Sequence, residues 1–211
     1  MKKIVTGYVH FLSNFFNSKK VLFSKLSSGQ SPEVLFITCS DSRVDPNLLT
    51  NSEPGELFVI RNAGNIVPPH TNTTCGFAAS IEFAINAIGI KHIIVCGHSD
   101  CGAMKGALDG SKTKNLPNIQ KWLNHTKPAV DYLKAKSKFT KRVDMTELTQ
   151  QNVLLQIQNL ITHPCIVEKL KIGSIDIHGW VYDIGQGSIK VFDESTNLFI
   201  SFEQFYSNLL K

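Results

Sequence analysis

The segment HIIVCGHSDCGAM (92–104) ends a run of apolar, β-branched residues in Gly97 and then places His98 and Cys101 three residues apart. An imidazole and a thiol at that spacing can serve as metal ligands, though the H-x-x-C spacing is common by chance. A second thiol, Cys39, follows another apolar run far upstream, PEVLFIT (32–38). Cys39, His98 and Cys101 together offer two thiolates and one imidazole, a donor set that suits tetrahedral zinc. Asp41, two residues after Cys39, is the local candidate for a fourth position. Spacing alone leaves three readings open: a zinc site, a Cys39 nucleophile with His98 as its base, and ordinary core and loop residues.

These residues need elements that bring them together. PEVLFIT, LFVIR (57–61) and KHIIVCG read as buried strands, with Cys39 and His98 just past the ends of the first and third. Asp45 followed by Pro46 starts a short helix, and 74–88, 100–108, 115–135 and 144–171 read as helical, the last broken at His163-Pro164. Ser99 or Asp100 would cap the helix that carries Cys101 in its first turn, where the helix dipole favours a thiolate. Gly97 and Gly102 would relieve crowding around a metal. Two alternating strands flank GQG in 175–193 as a hairpin, and 201–210 reads as a helix. Continuous apolar strands alternating with helices predict an α/β fold: a mainly parallel central sheet flanked by helices, with an N-terminal helical arm, a C-terminal hairpin and a final helix. In such sheets sites gather beyond the carboxyl ends of the strands.

The chain has 211 residues and a net charge of +5, and reads as a single domain over 1–211 with 1–28 as an amphipathic arm. Polar residues interrupt the apolar opening and no small-x-small cleavage site follows, which argues against a signal peptide. Nothing approaches a membrane span. Five cysteines, an odd number, point to a reducing cytoplasmic setting rather than disulfide staples. Cys75, Cys96 and Cys165 are read as core thiols, and His10, His70, His92, His125, His163 and His178 as surface or structural. Residues 111–142 hold eight lysines and Arg142 against one acid, Asp131. Without a nucleic-acid motif or interleaved aromatics, they read as solvated helix surfaces, with no nucleic-acid partner.

The segments CSDSRVDP (39–46), EPGELFVIRNAGNIVPP (53–69), GHSDCGAMKG (97–106) and HGWVYDIGQG (178–187) resemble the β-class carbonic anhydrases, in order and over much of the chain. The resemblance implies one Zn2+ per chain on Cys39, His98 and Cys101, with Asp41 joining only in a closed form. It implies that Asp41 and Arg43 are the catalytic acid–arginine pair, and that Gln30, Phe58, Phe83 and Gly102 face substrate. Phe83 stands where many members have tyrosine, so any role of that hydroxyl is missing here. It also implies a homodimer or higher homo-oligomer in which the arm lies across the partner and Gln30 reaches the other subunit's zinc.

The implied activity is that of a carbon–oxygen lyase: reversible hydration of CO2 to bicarbonate and a proton by a zinc-bound hydroxide, with Arg43 holding Asp41 off the metal. Two alternatives stand beside it: a related zinc hydrolase acting on a small molecule such as carbon disulfide, and a non-catalytic zinc-stabilised protein. Some members also carry a bicarbonate pocket that locks them at low pH, built from a tryptophan, an arginine and a tyrosine. Arg61 and Tyr182 match two of these, but Phe36 replaces the tryptophan and has no N–H to donate. The expectation is therefore an open form near neutral pH, with Asp41 paired to Arg43.

Overall fold

The computed structural model describes residues 1–136 and 143–210, so Lys138, Lys141 and Arg142 of the basic stretch lie outside the described residues. The chain divides into two compact units, Met1–Ser31 and Pro32–Lys211. The first is helical: α1 (Lys2–His10), a wider π-helical stretch (Phe11–Phe16) and α2 (Lys20–Leu26), none with a buried residue. Phe11, Phe15, Phe16 and Phe23 cluster, with Phe16 and Phe23 ring centres 4.9 Å apart. Ile4, Val5, Tyr8 and Val9 remain exposed.

The second unit is an α/β fold around one sheet of six strands: β1 (Val34–Cys39), β2 (Leu57–Asn62), β3 (His92–His98), β4 (Asp176–Asp183), β5 (Ser188–Asp193) and β6 (Leu198–Ser201). Their order is β2-β1-β3-β4-β5-β6. The first four run parallel, and β5 and β6 add antiparallel at one edge. Strand β6 lies outside the sequence expectation. Its four residues, LFIS, are exposed at both ends and half-buried between, too short a pattern to read as a strand. The closing helix is correspondingly short, Phe202–Phe205 rather than 201–210.

The central strands are apolar throughout because both sheet faces are covered. Leu35, Ile37, Ile93 and Val95 pack on one face with Val153 and Leu160, while Phe36, Ile94 and Cys96 pack on the other with Trp180 and Val191. Each fully buried Leu, Ile or Phe contributes about 1.5–3 kcal/mol. The helices are α3 (Pro46–Thr50), α4 (Gly76–Glu82, extended as π-helix over Phe83–Ile88), α5 (Gly102–Leu108), α6 (Pro117–Leu123), α7 (Lys127–Lys136), α8 (Met145–Leu160), α9 (Pro164–Lys171) and α10 (Phe202–Phe205). Asp45 caps α3 as read, accepting from the amides of Asn47 and Leu48.

Helix α8 crosses β3 and β4 at close range. A Cβ on Gly97 would stand 2.9 Å from methyl groups of both Thr149 and Val153. Gly97 therefore makes room for a helix rather than for a metal, and a Cβ on Gly102 would meet open space. Both depart from the expected role of relieving crowding at the metal. From β1 the chain passes to β2 on one side, then crosses back to β3 on the other. The carboxyl ends of β1 and β3 thus flank the switch in strand order, where parallel sheets open a crevice.

Candidate metal centre

Cys39 and His98 are the last residues of β1 and β3 rather than the first beyond them. The register pairs Thr38 with Cys96, so the two strand ends lie side by side. Cys101 is the N-cap of α5, with no side-chain cap bond, where Ser99 or Asp100 was expected. Ser99 is engaged elsewhere: its Oγ accepts from the Ile184 amide at 2.9 Å, and its own amide donates to the Tyr182 carbonyl. That stitches the loop after β3 to the end of β4.

The ligand atoms of Cys39, His98 and Cys101 lie within 4.8 Å of one another, and all three residues are buried. Among the described residues no other such group forms. The two sulfurs are 4.0 Å apart. That is far beyond a disulfide, and near the ~3.8 Å separation of two thiolates each about 2.3 Å from one tetrahedral zinc. His98 Nδ1 lies 2.8 Å from the Ser99 carbonyl, so Nδ1 carries the proton and Nε2 the lone pair. That Nε2 is fully buried with no hydrogen-bond partner. A buried lone pair without a donor is costly unless something else fills it, and a ring nitrogen oriented through a backbone carbonyl is how metal-bound histidines are held. The residues present fit a zinc ion.

The thiols are electrostatically unequal. Cys39 is pulled well below an ordinary thiol, first by the Cys101 thiol, then by the His98 ring and the amides of Gly64 and Asp41. Cys101 is pushed up by the same contact and by burial. The contact between the two sulfurs thus favours a thiolate on Cys39 and a thiol on Cys101. The Gly64 amide, 3.3 Å from Cys39 Sγ, is a contact the sequence reading did not anticipate. Its signal is Gly64 in RNAGN, where φ is +86° and a Cβ would stand 3.0 Å from the Ala103 methyl.

Asp41 and Arg43 stand beside this cluster. Arg43 Nε and Nη2 donate to Asp41 Oδ1 and Oδ2 at 2.9 and 2.8 Å, a two-pronged grip. It holds the Asp41 carboxyl well below the usual carboxylate range. Asp41 Oδ2 lies 3.9 Å from His98 Nε2. Arg61 buttresses this turn through the carbonyls of Cys39 and Asp41, at 3.0 and 2.7 Å. Phe36 packs edge-on against Trp180, and Tyr182 is half-buried beside His98 in the register.

The rings of Phe58 and Phe83 meet at 6.2 Å, with Phe83 half exposed. Gly102 opens α5 next to Cys101, and Gln30 is exposed in the helical unit. Of the three thiols read as core, only Cys96 is fully buried; Cys165 is half-buried. Cys75 is exposed and caps α4, its sulfur accepting from the Ala78 amide at 3.5 Å.

Residues 34–189 match the family model described as carbonic anhydrase. A carbonic anhydrase of Pseudomonas aeruginosa is 43% identical over 201 residues, covering 95% of this chain and 91% of that one. Among solved structures, the beta-carbonic anhydrase CcaA superposes with a TM-score of 0.89 at 42% identity, covering 95% of this chain and 91% of that one. One of two tetrameric beta-carbonic anhydrases from Sordaria macrospora gives 0.78 at 33% identity, covering 90% and 95%.

Proposed function

The chain belongs to the β-class carbonic anhydrase family, and from that premise we propose that it hydrates CO2 reversibly on one zinc per chain held by Cys39, His98 and Cys101. The observation that carries this reading is the orphaned, fully buried Nε2 of His98 facing two thiols at the carboxyl edge of the sheet. Zinc, when bound, supplies a Lewis acid that lowers the pKa of a water to about 7.

The protein's own groups set up the rest. Arg43 keeps Asp41 ionised, so Asp41 serves as a hydrogen-bond acceptor beside the site and not as a proton donor. The same grip occupies both carboxylate oxygens, which disfavours Asp41 as a fourth ligand and leaves that position for small molecules. Phe58 and Phe83 give an apolar wall suited to CO2. The amide of Gly102, in the first turn of α5 where amides lack intrahelical acceptors, is suited to an oxygen of bicarbonate.

The uncovered apolar side chains of α1 support a homodimer or larger homo-oligomer in which each helical unit packs on a second copy. Gln30 would then serve the other subunit's site. The reading places the enzyme in the cytoplasm; no described helix is long and apolar enough to cross a membrane.

Stopped-flow CO2 hydration on a sample of known metal content tests the proposal. Active protein with one zinc per chain is expected. Asp41→Ala and Arg43→Ala should keep the zinc and lose roughly a hundredfold in rate, the low end for a positioned acid–base group. Undiminished hydration by either variant would reduce the pair to a structural salt bridge.

A further inference from the structure

Arg43 serves two carboxylates. While Nε and Nη2 hold Asp41, Nη1 donates to Asp100 Oδ2 at 2.9 Å, and Nη2 also reaches the Asp100 carbonyl at 3.3 Å. The other carboxylate oxygen of Asp100 is paired with Lys105 of α5. Asp100 stands between Ser99 and Cys101 with φ at +59°, in the left-handed region where aspartate is among the few side chains tolerated. Its carbonyl and carboxylate both turn to the same guanidinium, while Ser99 on one side is tied to β4.

The Arg43 amide also donates to Asp41 Oδ1 at 3.0 Å, so without Asp100 the carboxylate keeps that local tether, while Oδ2 and the guanidinium that grips it can still turn about it. Held also by Asp100, they are anchored to the short loop that carries His98 and Cys101. The swing that this prevents is small, since Asp41 Oδ2 is already 3.9 Å from His98 Nε2. Asp100 and Arg43 side chains are 54% and 44% exposed, so as an ion pair they add little to stability. What the contact provides is direction.

We propose that Asp100 is a positioning residue: by fixing Arg43 it keeps the Asp41 carboxylate turned away from the metal position and leaves that position open to exchangeable ligands. The inference rests on the reading of Cys39, His98 and Cys101 as the metal site.

Charge and position predict opposite results here, which makes the test decisive. Removing a negative charge near a cation should tighten anion binding by Coulomb attraction. Releasing Asp41 should weaken it, because the carboxylate then competes for the same place. The probe is thiocyanate, titrated spectrally against the cobalt-loaded protein. Asp100→Gly keeps the backbone conformation and should raise the thiocyanate Kd about tenfold, as the fraction of open sites falls to about a tenth. Asp100→Asn, which keeps an acceptor for Nη1, should fall between the two. In an Asp41→Ala background, Asp100→Gly should no longer weaken binding. Unchanged or tighter binding in Asp100→Gly overturns the proposal, as does an equal loss without Asp41. A parent protein that takes up no cobalt overturns the metal reading and this inference with it; a parent that loads normally confines any failure to Asp100.

Discussion

The two edges of the parallel sheet use the same residue types to opposite ends. At the carboxyl edge, His98 is fully buried with an unmatched Nε2, and the sulfurs of Cys39 and Cys101 lie 4.0 Å apart, the first pulled below an ordinary thiol and the second pushed above it. Two residues before His98 on the same strand, Cys96 is just as buried, but its thiol is pushed up to about 12 by burial and donates to the Gly97 carbonyl at 3.4 Å. At the amino edge, His178 meets the Tyr206 hydroxyl at 3.4 Å and stacks near His92, which faces Asp176. Burial alone therefore does not make a thiol or an imidazole reactive. What distinguishes the carboxyl edge is that three buried ligand atoms converge there, one of them with no hydrogen-bond partner, a gap that a metal cation fills.

The most direct way to break that comparison is to exchange the fates of two buried thiols. Cys101→Ala should lose stoichiometric zinc. Partners in the outer shell alone change metal affinity about 10–100-fold, so removing a ligand itself should exceed that, and CO2 hydration should go with it. Cys96→Ala should keep one zinc and full activity, and lose only about 1 kcal/mol of stability to a small cavity. Metal analysis and chelator competition on the two variants, side by side, check this. Zinc retained by Cys101→Ala would erase the distinction between the thiols.

Much of that distinction was legible in the chain, because it depends on where apolar runs stop. β1 and β3 announce themselves as runs of β-branched and aromatic residues, and the reactive residues at their carboxyl ends, Cys39 and His98, are those that meet. The pair Asp41/Arg43 was legible through the resemblance, and its contact is local for another reason: the two residues sit in one turn, closed by the Val44 amide on the Asp41 carbonyl. What could not be read depends on contacts made far along the chain. Asp100 looked like a helix cap because Asp caps helices often, and its partnership with Arg43 exists only once β1 and β3 are neighbours. Ser99 looked like the other cap, yet β4 claims its hydroxyl. Gly97 looked like a space-maker for the metal, and its neighbour is α8, some fifty residues downstream. Cys75 was grouped with core thiols because cysteine is often buried, whereas a cap position at the start of α4 leaves it in solvent.

A second way to sharpen the comparison is to press on the two glycines that flank the site. Gly97→Ala drives a methyl into Thr149 and Val153, and should cost about 1–3 kcal/mol in urea unfolding. Gly102→Ala opens onto free space at the start of α5 and should change stability by less than about 0.5 kcal/mol. If α8 sets the position of the strand end, Gly97→Ala should also weaken metal retention, while Gly102→Ala should not. Equal stability of the two variants would mean that α8 moves away at little cost.

The smallest effect belongs to the quiet amino edge. His178 is held neutral chiefly by burial and then by His92, with Asp176 opposing. Its pKa in the fold is therefore below that of the unfolded chain, near 6.5. As pH falls through that value the unfolded chain takes up a proton before the folded one does, so stability declines on the acid side and is fully present above it. One such group contributes a slope of at most about 1.4 kcal/mol per pH unit. His178→Phe removes that contribution and keeps an aromatic beside Tyr206, so its stability should vary less steeply than the parent's between pH 7 and pH 5. His163, buried and bonded through Nε2 to the Pro68 carbonyl, acts in the same sense and leaves part of the slope in place. Comparison at equal zinc content isolates the histidine from any loss of metal. If the two slopes coincide, His178 already sits in a water-like environment, and the amino edge is quiet because it is open rather than because its polar groups are matched.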